Sequence, residues 1–160
     1  MSSQSYSVRR AIVDDTEIVA ALVSKLLIEL YDELAVTHSA AKLLPVARRL
    51  LGEDDRVAGF LAFDVAGKPI GVLMLNECAA IYAFGAFGEI SELYIAPEHR
   101  SSGVGARLIG EAVVFGRARG WQVIEVSAPD VPRWQRSVEF CKRYGFKEIG
   151  PRLELEIAES

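Results

Sequence analysis

The segment from 97 to 106, PEHRSSGVGA, has the residue types and the spacing of an anion-binding loop. Gly103 and Gly105 lie two positions apart, so the backbone there can turn tightly and approach a ligand closely. An apolar helical pattern follows, and the first turn of a helix carries unpaired N–H groups and a partial positive charge. The segment therefore predicts a site for a phosphate or pyrophosphate, with Arg100 adding positive charge and two serines adding hydroxyl donors.

Two common phosphate loops do not fit this segment. The dinucleotide fingerprint needs a third glycine three residues after Gly105, where the chain has Leu108. The P-loop needs Gly-Lys followed by Ser or Thr, and the sequence has no such tripeptide. The simpler alternative is a strand-to-helix turn in which the glycines serve only the shape of the backbone. The neighbouring arginine and the strand and helix patterns on either side favour the binding interpretation.

Hydrophobic spacing and turn residues predict the elements that must hold this loop. Residues 78–88 are apolar and dotted with glycine, and their spacing predicts neither a strand nor a helix. The order of the other elements predicts an α/β protein with a mixed sheet, folded as one domain over residues 1–160. Strands are expected at 6–13, 56–65, 70–76, 89–96, 121–127, 146 and 153–157, and helices at about 14–33, 39–51, 104–119 and 133–144.

The composition excludes several classes of protein. With 18 Lys and Arg against 22 Asp and Glu, the formal charge of −4 gives no general attraction for nucleic acid. Cys78 and Cys141 do not form a disulfide framework, and the absence of CxxC and HExxH patterns predicts no metal site. The longest uncharged apolar run, 78–88, is shorter than the roughly 20 residues that cross a bilayer. We therefore expect a soluble, cytoplasmic protein with no membrane partner and no signal peptide.

The sequence EISELYIAPEHRSSGVGARLI resembles the acyl-CoA-binding motif of the GNAT family, the Gcn5-related N-acetyltransferases. Arg100, Gly103 and Gly105 match the family core R-x-x-G-x-G, and the strand before Pro97 matches its approach. Downstream, FCKRYGF at 140–146 resembles the later family helix that ends in Gly-Phe. The resemblance spans roughly residues 6–157. It implies a mostly antiparallel sheet, flanked by helices and splayed at its central strands, often at a bulge.

The resemblance implies that acetyl-CoA, or another acyl-CoA, is the cosubstrate. In the family the strand before the loop pairs with the pantetheine arm, and the loop amides hold the pyrophosphate. The backbone N–H of Ile95 or Tyr94 would polarise the thioester carbonyl. The residues implied to bind the cofactor are Leu93, Tyr94, Ile95, Arg100, Ser101, Ser102, Gly103, Val104, Gly105 and Ala106.

The family reaction is direct attack of an amine on the thioester, for which Glu92 is the best candidate general base. Strict strand alternation would place Ile90, Glu92 and Tyr94 on one face of the sheet. A carboxylate in the middle of a sheet is costly unless it is paired or used. The alternative is a solvated or ion-paired Glu92, with Glu89 as the reserve candidate base.

The departing thiolate is where the sequence leaves the family pattern. Many members place a tyrosine four residues before the Gly of Gly-Phe as proton donor, and here that position is Cys141. A thiol could donate the proton, although a small buried apolar residue is the simpler interpretation. Tyr144 lies one helical turn further on and is the alternative proton donor. Its simpler and favoured interpretation is a core aromatic beside Phe146.

The acceptor site of the family lies between its first two helices and the connection before the cofactor strand, here about 26–40 and 79–88. Carboxylates and aromatic rings in these segments would suit a cationic amine, and Tyr82, Phe84 and Phe87 could equally be core or dimer contacts. The notable residues are Tyr31, Asp32, Glu33, Tyr82, Phe84 and Phe87, of which Tyr31, Tyr82 and Phe84 are the predicted substrate contacts.

The predicted function is transfer of an acetyl group from acetyl-CoA to a primary amine of a small molecule. One alternative is a GNAT-fold module that binds acyl-CoA without turnover, which Cys141 at the tyrosine position favours. Another is an acetyltransferase of protein N-termini or lysines. A homodimer is common in the family, and the apolar run at 78–88 would be one surface for it.

Overall fold

The computed structural model describes residues 6–127 and 135–157, and the chain divides into two compact units, residues 1–126 and 127–160. In the described part, the second unit contains α4 (Gln135–Tyr144). The first unit contains β1 (Tyr6–Arg10), α1 (Thr16–Leu30), α2 (Ala40–Glu53), β2 (Val57–Asp64), β3 (Pro69–Ala80), β4 (Gly85–Ile95), α3 (Val104–Ala118) and β5 (Ile124–Val126).

The sheet has the order β1-β2-β3-β4-β5. Neighbours from β1 to β4 are antiparallel, and β5 runs parallel to β4. The parallel pairing covers only three residues of each strand and ends where Ile90 faces Val126. The predicted mixed, mostly antiparallel sheet is therefore confirmed, and its parallel junction is short.

Helices cover both faces of the sheet because successive strand residues point to opposite sides. On one face α1 and α2 pack over β2, β3 and β4. On the other face lies α3, where the ring of Phe115 meets that of Phe60 at a centroid distance of 6.2 Å. The core of the α1 face includes Val19, Leu22, Val23, Leu61, Val72, Met74 and Tyr94.

The run 78–88, which the sequence did not assign, is a β-hairpin. Strand β3 continues to Ala80, β4 begins at Gly85, and residues 81–84 form the turn. Phe84 and Gly85 have φ angles of 57° and 121°. The turn was hard to predict because it contains none of the Pro, Asn or Asp residues that usually mark one.

Strand β5 is shorter than the predicted 121–127. The N–H of Trp121 bonds back to the Gly116 carbonyl at 2.9 Å, so Trp121 closes the end of α3 rather than starting the strand.

The predicted strands at 146 and 153–157 were wrong. Residues 146–157 form no strand in the described part of the chain, and the Leu153, Leu155 and Ile157 side chains are 94%, 87% and 93% exposed. An alternating pattern becomes a strand only where a neighbouring strand pairs with it and a face is buried, and neither occurs here.

Candidate functional site

The predicted anion-binding segment forms a loop between β4 and α3. A short 3-10 turn, Pro97–His99, follows β4, and the glycine loop (residues 100–106) leads into α3. Ser101 and Gly103 both have left-handed backbone, with φ of 64° and 92°. Left-handed residues among ordinary ones turn successive N–H groups into a concavity that suits an anion. Ser101 has a side chain in this conformation at a cost of about 1 kcal/mol or more, as is common at ligand sites.

The start of α3 offers donors that the fold leaves uncapped. Val104 is the first helical residue, Gly103 is its N-cap, and no side chain caps the first turn. The first N–H groups of a helix have no acceptor within the helix. A Cβ built on Gly103 would lie 3.2 Å from the hydroxyl oxygen of Tyr6. Glycine at this position therefore lets Tyr6 lie close to the loop without crowding. These features fit the diphosphate of an acyl-CoA.

The serine hydroxyls of the glycine loop are not equivalent. The Ser102 hydroxyl donates a hydrogen bond to the carbonyl of His99, which stabilises the loop itself. A ligand would therefore meet the hydroxyl of Ser101 and the backbone N–H groups more readily than the hydroxyl of Ser102.

Arg100 is at the predicted position, but its guanidinium has partners within the protein. Its two Nη atoms donate to the Glu29 carboxylate at 2.8 and 2.7 Å, and its Nε donates to the Ile95 carbonyl at 2.9 Å. Its Cζ also lies 5.7 Å from the centroid of the Tyr94 ring. The hydrogen bonds to Glu29 raise the pKa of Arg100, so its charge is permanent and already paired.

A bulge in β4 decides which residues share a face. Met74 of β3 pairs with Glu92, whereas the next residue, Leu75, pairs with Ile90, so Ser91 is an extra residue. Because Met74 and Leu75 point to opposite faces, Glu92 lies on the α1 face and Ile90 on the α3 face. The predicted strict alternation, with both on one face, was wrong because a local pattern does not reveal a register shift.

Beyond the bulge, β4 has an open edge. The last pair with β5 is Ile90 with Val126, and no described strand pairs with Leu93 to Ile95 on that side. The Ala96 N–H donates to Ile70 of β3 at 2.8 Å. Antiparallel pairing alternates, so the backbone groups of Tyr94 also face β3, and those of Leu93 and Ile95 face the open edge. Of the two amides considered for the thioester carbonyl, only that of Ile95 is on this edge.

Glu92 is partly buried beside the bulge. The Ser91 hydroxyl donates to its carboxylate. Burial raises the pKa of Glu92, the hydrogen bond from Ser91 lowers it, and the nearby charge of Glu89 raises it, with a net upward shift. A carboxylate with a raised pKa in this position is a stronger base than an exposed one.

Two further carboxylates lie where β4 pairs with β5. Glu89 of β4 is registered beside Glu125 of β5, and Tyr82 donates a hydrogen bond from its hydroxyl to Glu125 at 2.8 Å. That hydrogen bond raises the pKa of Tyr82. Acidic and aromatic groups therefore meet where β4 and β5 separate, which would attract a positively charged ligand.

The predicted acceptor residues have different environments. Tyr82 and Phe84 are 69% and 87% exposed in the turn 81–84, whereas Phe87 is buried with its ring 5.9 Å from that of Tyr82. Phe87 is thus a core residue, one of the alternatives left open by the sequence. Tyr31 is 42% exposed and lies in a different segment, directly after α1.

The two candidate proton donors lie on α4, in the unit formed by residues 127–160. Cys141 is partly buried, and burial raises the pKa of its thiol. The ring of Tyr144 lies 6.4 Å from that of Phe146, as expected, but Tyr144 is 39% exposed and is not the predicted core aromatic. The catalytic roles of both residues stay predictions.

Sequence reasoning missed three groups at the site: Glu29, the extra residue Ser91, and the Tyr6 hydroxyl beside Gly103. Glu29 and Tyr6 are far from the loop in sequence, and no local pattern points to them. The described residues contain no group of three metal-ligating side chains that could hold a metal ion. Their helices are also too short or too polar to cross a membrane.

The sequence model of the acetyltransferase (GNAT) family matches residues 24–146. The chain therefore belongs to the GNAT family. It is 31% identical over 97 residues to an uncharacterized N-acetyltransferase of Methanocaldococcus jannaschii. That match covers 56% of this chain and 39% of the relative, so the chain spans well under half of the relative's length.

Solved structures of low sequence identity share the fold. An aminoglycoside acetyltransferase from an uncultured soil metagenomic sample has a TM-score of 0.78 at 22% identity, over 96% of this chain and 99% of that one. An N-acetyltransferase of Ralstonia eutropha JMP134 gives 0.78 at 20%, over 94% and 98%. An aminoglycoside N-acetyltransferase, AAC(6')-Iy, in complex with CoA gives 0.75 at 18%, over 95% and 94%.

Proposed function

We propose that this chain is an N-acetyltransferase that moves an acetyl group from acetyl-CoA to a primary amine of a small molecule, with both substrates bound together. The observation that carries the proposal is the open edge of β4, which leads directly into the glycine loop and the uncapped start of α3. An amide-containing arm can pair with such an edge, and a diphosphate suits the amides that follow. The family match across 24–146 supports a single acyltransferase domain.

The backbone performs most of the binding. The backbone of Leu93 pairs with the pantetheine arm, and the N–H groups of residues 101–106 hold the diphosphate. Acetyl-CoA supplies an activated acyl carbon. The Ile95 N–H donates to the carbonyl oxygen as negative charge develops on it, which stabilises the transition state. Because these donors belong to a strand and a helix terminus, they are held in position before the substrate arrives.

Glu92 acts as the general base. Its carboxylate lies one residue beyond the bulge, on the α1 face, and takes a proton from the attacking amine directly or through one water. The pKa of Glu92 is raised first by burial and further by the nearby charge of Glu89, which improves its match to an ammonium donor. Glu89 remains the reserve base.

The proton for the departing thiolate comes from Cys141 in this proposal, with Tyr144 as the alternative. The raised pKa of the Cys141 thiol keeps it protonated at neutral pH, as a donor must be. A thiolate also leaves more easily than an alkoxide, so turnover does not depend on this donor alone.

The acceptor is a small cationic amine. The hydrogen-bonded Tyr82 and Glu125, with Glu89 beside them, form an acidic and aromatic surface at the separation of β4 and β5. Tyr31 and Phe84 are the further acceptor contacts that we propose. The aminoglycoside acetyltransferases among the similar structures support a small-molecule acceptor.

The first test is thermal unfolding with and without acetyl-CoA. At about 100 times the dissociation constant, binding adds about 2.7 kcal/mol, which raises the midpoint by roughly 5–10 °C for a chain of this size. Gly103→Ala should lose this rise, since φ is +92° and the new Cβ meets Tyr6. Gly67→Ala is the matched control, because φ is +82° there and the space is open. No rise in the folded wild type at millimolar acetyl-CoA refutes the proposal.

A second candidate is a module that binds acyl-CoA without turnover, which Cys141 at the usual tyrosine position favours. A panel of small amines and of peptides, assayed for release of free CoA thiol, distinguishes the three candidate functions. Release with amines supports the proposal, release with peptides alone indicates a protein acetyltransferase, and binding without release indicates the module.

The homodimer and the cytoplasmic location expected from the sequence stay predictions. Ile81 and Phe84 at the hairpin turn are 97% and 87% exposed, which makes this turn the surface to test. Light scattering that gives the mass of one chain would contradict the dimer.

A further inference from the structure

The guanidinium of Arg100 lies on the opposite side of β4 from α3. Tyr94, over whose ring it lies, belongs to the core of the α1 face. Its carboxylate partner, Glu29, is in the last turn of α1. The helix α3 begins on the other face, where the side chains of Leu108 and Ile95 approach Gly71. The charge of Arg100 therefore points toward α1, away from the N–H groups that open α3.

The ion pair joins three parts of the site. Glu29 belongs to the helix that leads into the acceptor segment, Ile95 ends the open edge, and Arg100 begins the glycine loop. The three donated hydrogen bonds use the planar fork of arginine in one fixed orientation. Bond lengths of 2.7–2.9 Å fit charge-assisted contacts.

We propose that Glu29 is a positioning residue for the acyl-CoA site: it holds Arg100 as a clasp between α1, the end of β4 and the glycine loop, so that the backbone amides, and not the guanidinium, bind the phosphates. This inference rests on the proposed acyl-CoA site. It reverses the role that the sequence suggests for Arg100, which is positive charge offered to the ligand.

The two roles of Arg100 make opposite predictions. If the guanidinium bound a phosphate, Glu29 would compete with the ligand, and its removal would tighten CoA binding. Lysine at position 100 would then retain much of the affinity as a point charge. If Arg100 is a clasp, removal of either partner loosens the loop, and lysine cannot reproduce the three contacts.

The test measures CoA affinity by calorimetry for the wild type, Glu29→Gln, Arg100→Lys and the double variant. We expect each single variant to bind CoA about fivefold more weakly, the upper end for a partly exposed ion pair. The double variant should be no weaker than either single one, because both remove the same interaction. Glu17→Gln on the exposed start of α1 and Arg49→Lys on exposed α2 control for the changes of charge and residue type.

Amide NMR spectra give a second measurement that does not depend on affinity. The Gly103 and Gly105 resonances of the ligand-free protein should move in both single variants and stay in place in the controls. Three results would contradict the proposed role of the ion pair as a clasp. They are tighter CoA binding in Glu29→Gln, wild-type affinity in Arg100→Lys, and additive losses of affinity in the double variant. A wild type that binds no CoA would instead remove the proposed function, and the clasp with it.

Discussion

The two halves of β4 are built in opposite ways. The amino-terminal half (85–90) pairs with β3 throughout and also with β5 over residues 88–90. The indole of Trp121 packs so closely there that a Cβ on Gly88 would lie 2.4 Å from it. In the carboxyl-terminal half (92–95), β3 is the only described strand that pairs with it. Ser91 is the extra residue that separates the halves. The backbone of one half thus stabilises the sheet, whereas in the other half Leu93 and the N–H of Ile95 have no partner among the described strands.

The carboxylates beside the two halves differ in the same way. Glu77, paired with Gly88 in the sheet, accepts hydrogen bonds from Arg119 at 2.8 Å and from the Trp121 indole at 2.7 Å. These bonds lower the pKa of Glu77. In the open half, burial raises the pKa of Glu92. A carboxylate stabilised as an anion supports the fold, whereas one that is destabilised as an anion suits proton transfer.

The largest expected effect is on turnover. Glu92→Gln should lower kcat by about 100-fold or more, since general bases contribute about 10²- to 10⁴-fold, while CoA affinity stays within about twofold. The wild-type rate should fall as the pH drops through the raised pKa of Glu92, because only the carboxylate accepts a proton. Steady-state assays of CoA release from pH 5 to 9 check both points.

Glu89→Gln separates the two candidate bases. It should retain most of the turnover but shift the acid limb of the pH profile to lower pH, because the charge of Glu89 raises the pKa of Glu92. If Glu89→Gln lost the activity and Glu92→Gln kept it, the assignment of the base would be reversed.

Gly88→Ala tests the closed half. The new Cβ would meet two carbons of the Trp121 ring at 2.4 and 2.6 Å, so the backbone or the indole must move. Overpacking of this kind costs about 1–3 kcal/mol, or roughly 3–10 °C in the unfolding midpoint. In a Trp121→Leu background the same substitution should cost little. An equal loss in both backgrounds would mean that the strain lies elsewhere.

The sequence was most informative where structure is local. The four-residue spacing from Val104 to Leu108 and Ala112 predicted α3, and the glycines beside Arg100 predicted the tight turn before it. The bulge at Ser91 was beyond local reasoning, because the register with β3 fixes it. The pairing of Glu29 with Arg100 joins positions 71 residues apart and has no local signal.

Glu77→Gln and Glu92→Gln should change stability in opposite directions at pH 7. A lowered pKa means that Glu77 adds stability above the ordinary carboxyl pKa, and that this is lost as the pH falls through its folded value. A raised pKa means that Glu92 adds stability only in acid, and that this is lost as the pH rises. Glu77→Gln should therefore unfold about 2–4 °C lower than the wild type, for roughly 1 kcal/mol.

Calorimetric scans between neutral pH and about pH 3 check these signs, since the carboxyls are protonated at the acid end. Glu92→Gln should unfold above the wild type at pH 7, and both differences should shrink in acid. A neutral-pH loss of stability in Glu92→Gln would show that the anion is supported by the fold, and it would weaken the case for Glu92 as the base.

The smallest expected effect on stability distinguishes two phenylalanines three residues apart. Phe84 is 87% exposed and has a left-handed φ of 57°, so it contributes strain and buries little surface, whereas Phe87 is buried. Glycine removes the strain at 84 but adds about 0.5–1 kcal/mol of chain entropy to the unfolded state, so the midpoint of Phe84→Gly should move by less than about 2 °C. Phe87→Ala, the comparison, should cost about 3–5 kcal/mol. Because Phe84 is a proposed acceptor contact, Phe84→Gly should raise KM for the amine and leave KM for acetyl-CoA unchanged. A large loss of stability in Phe84→Gly, with both KM values unchanged, would make the turn a structural element and remove it from the acceptor site.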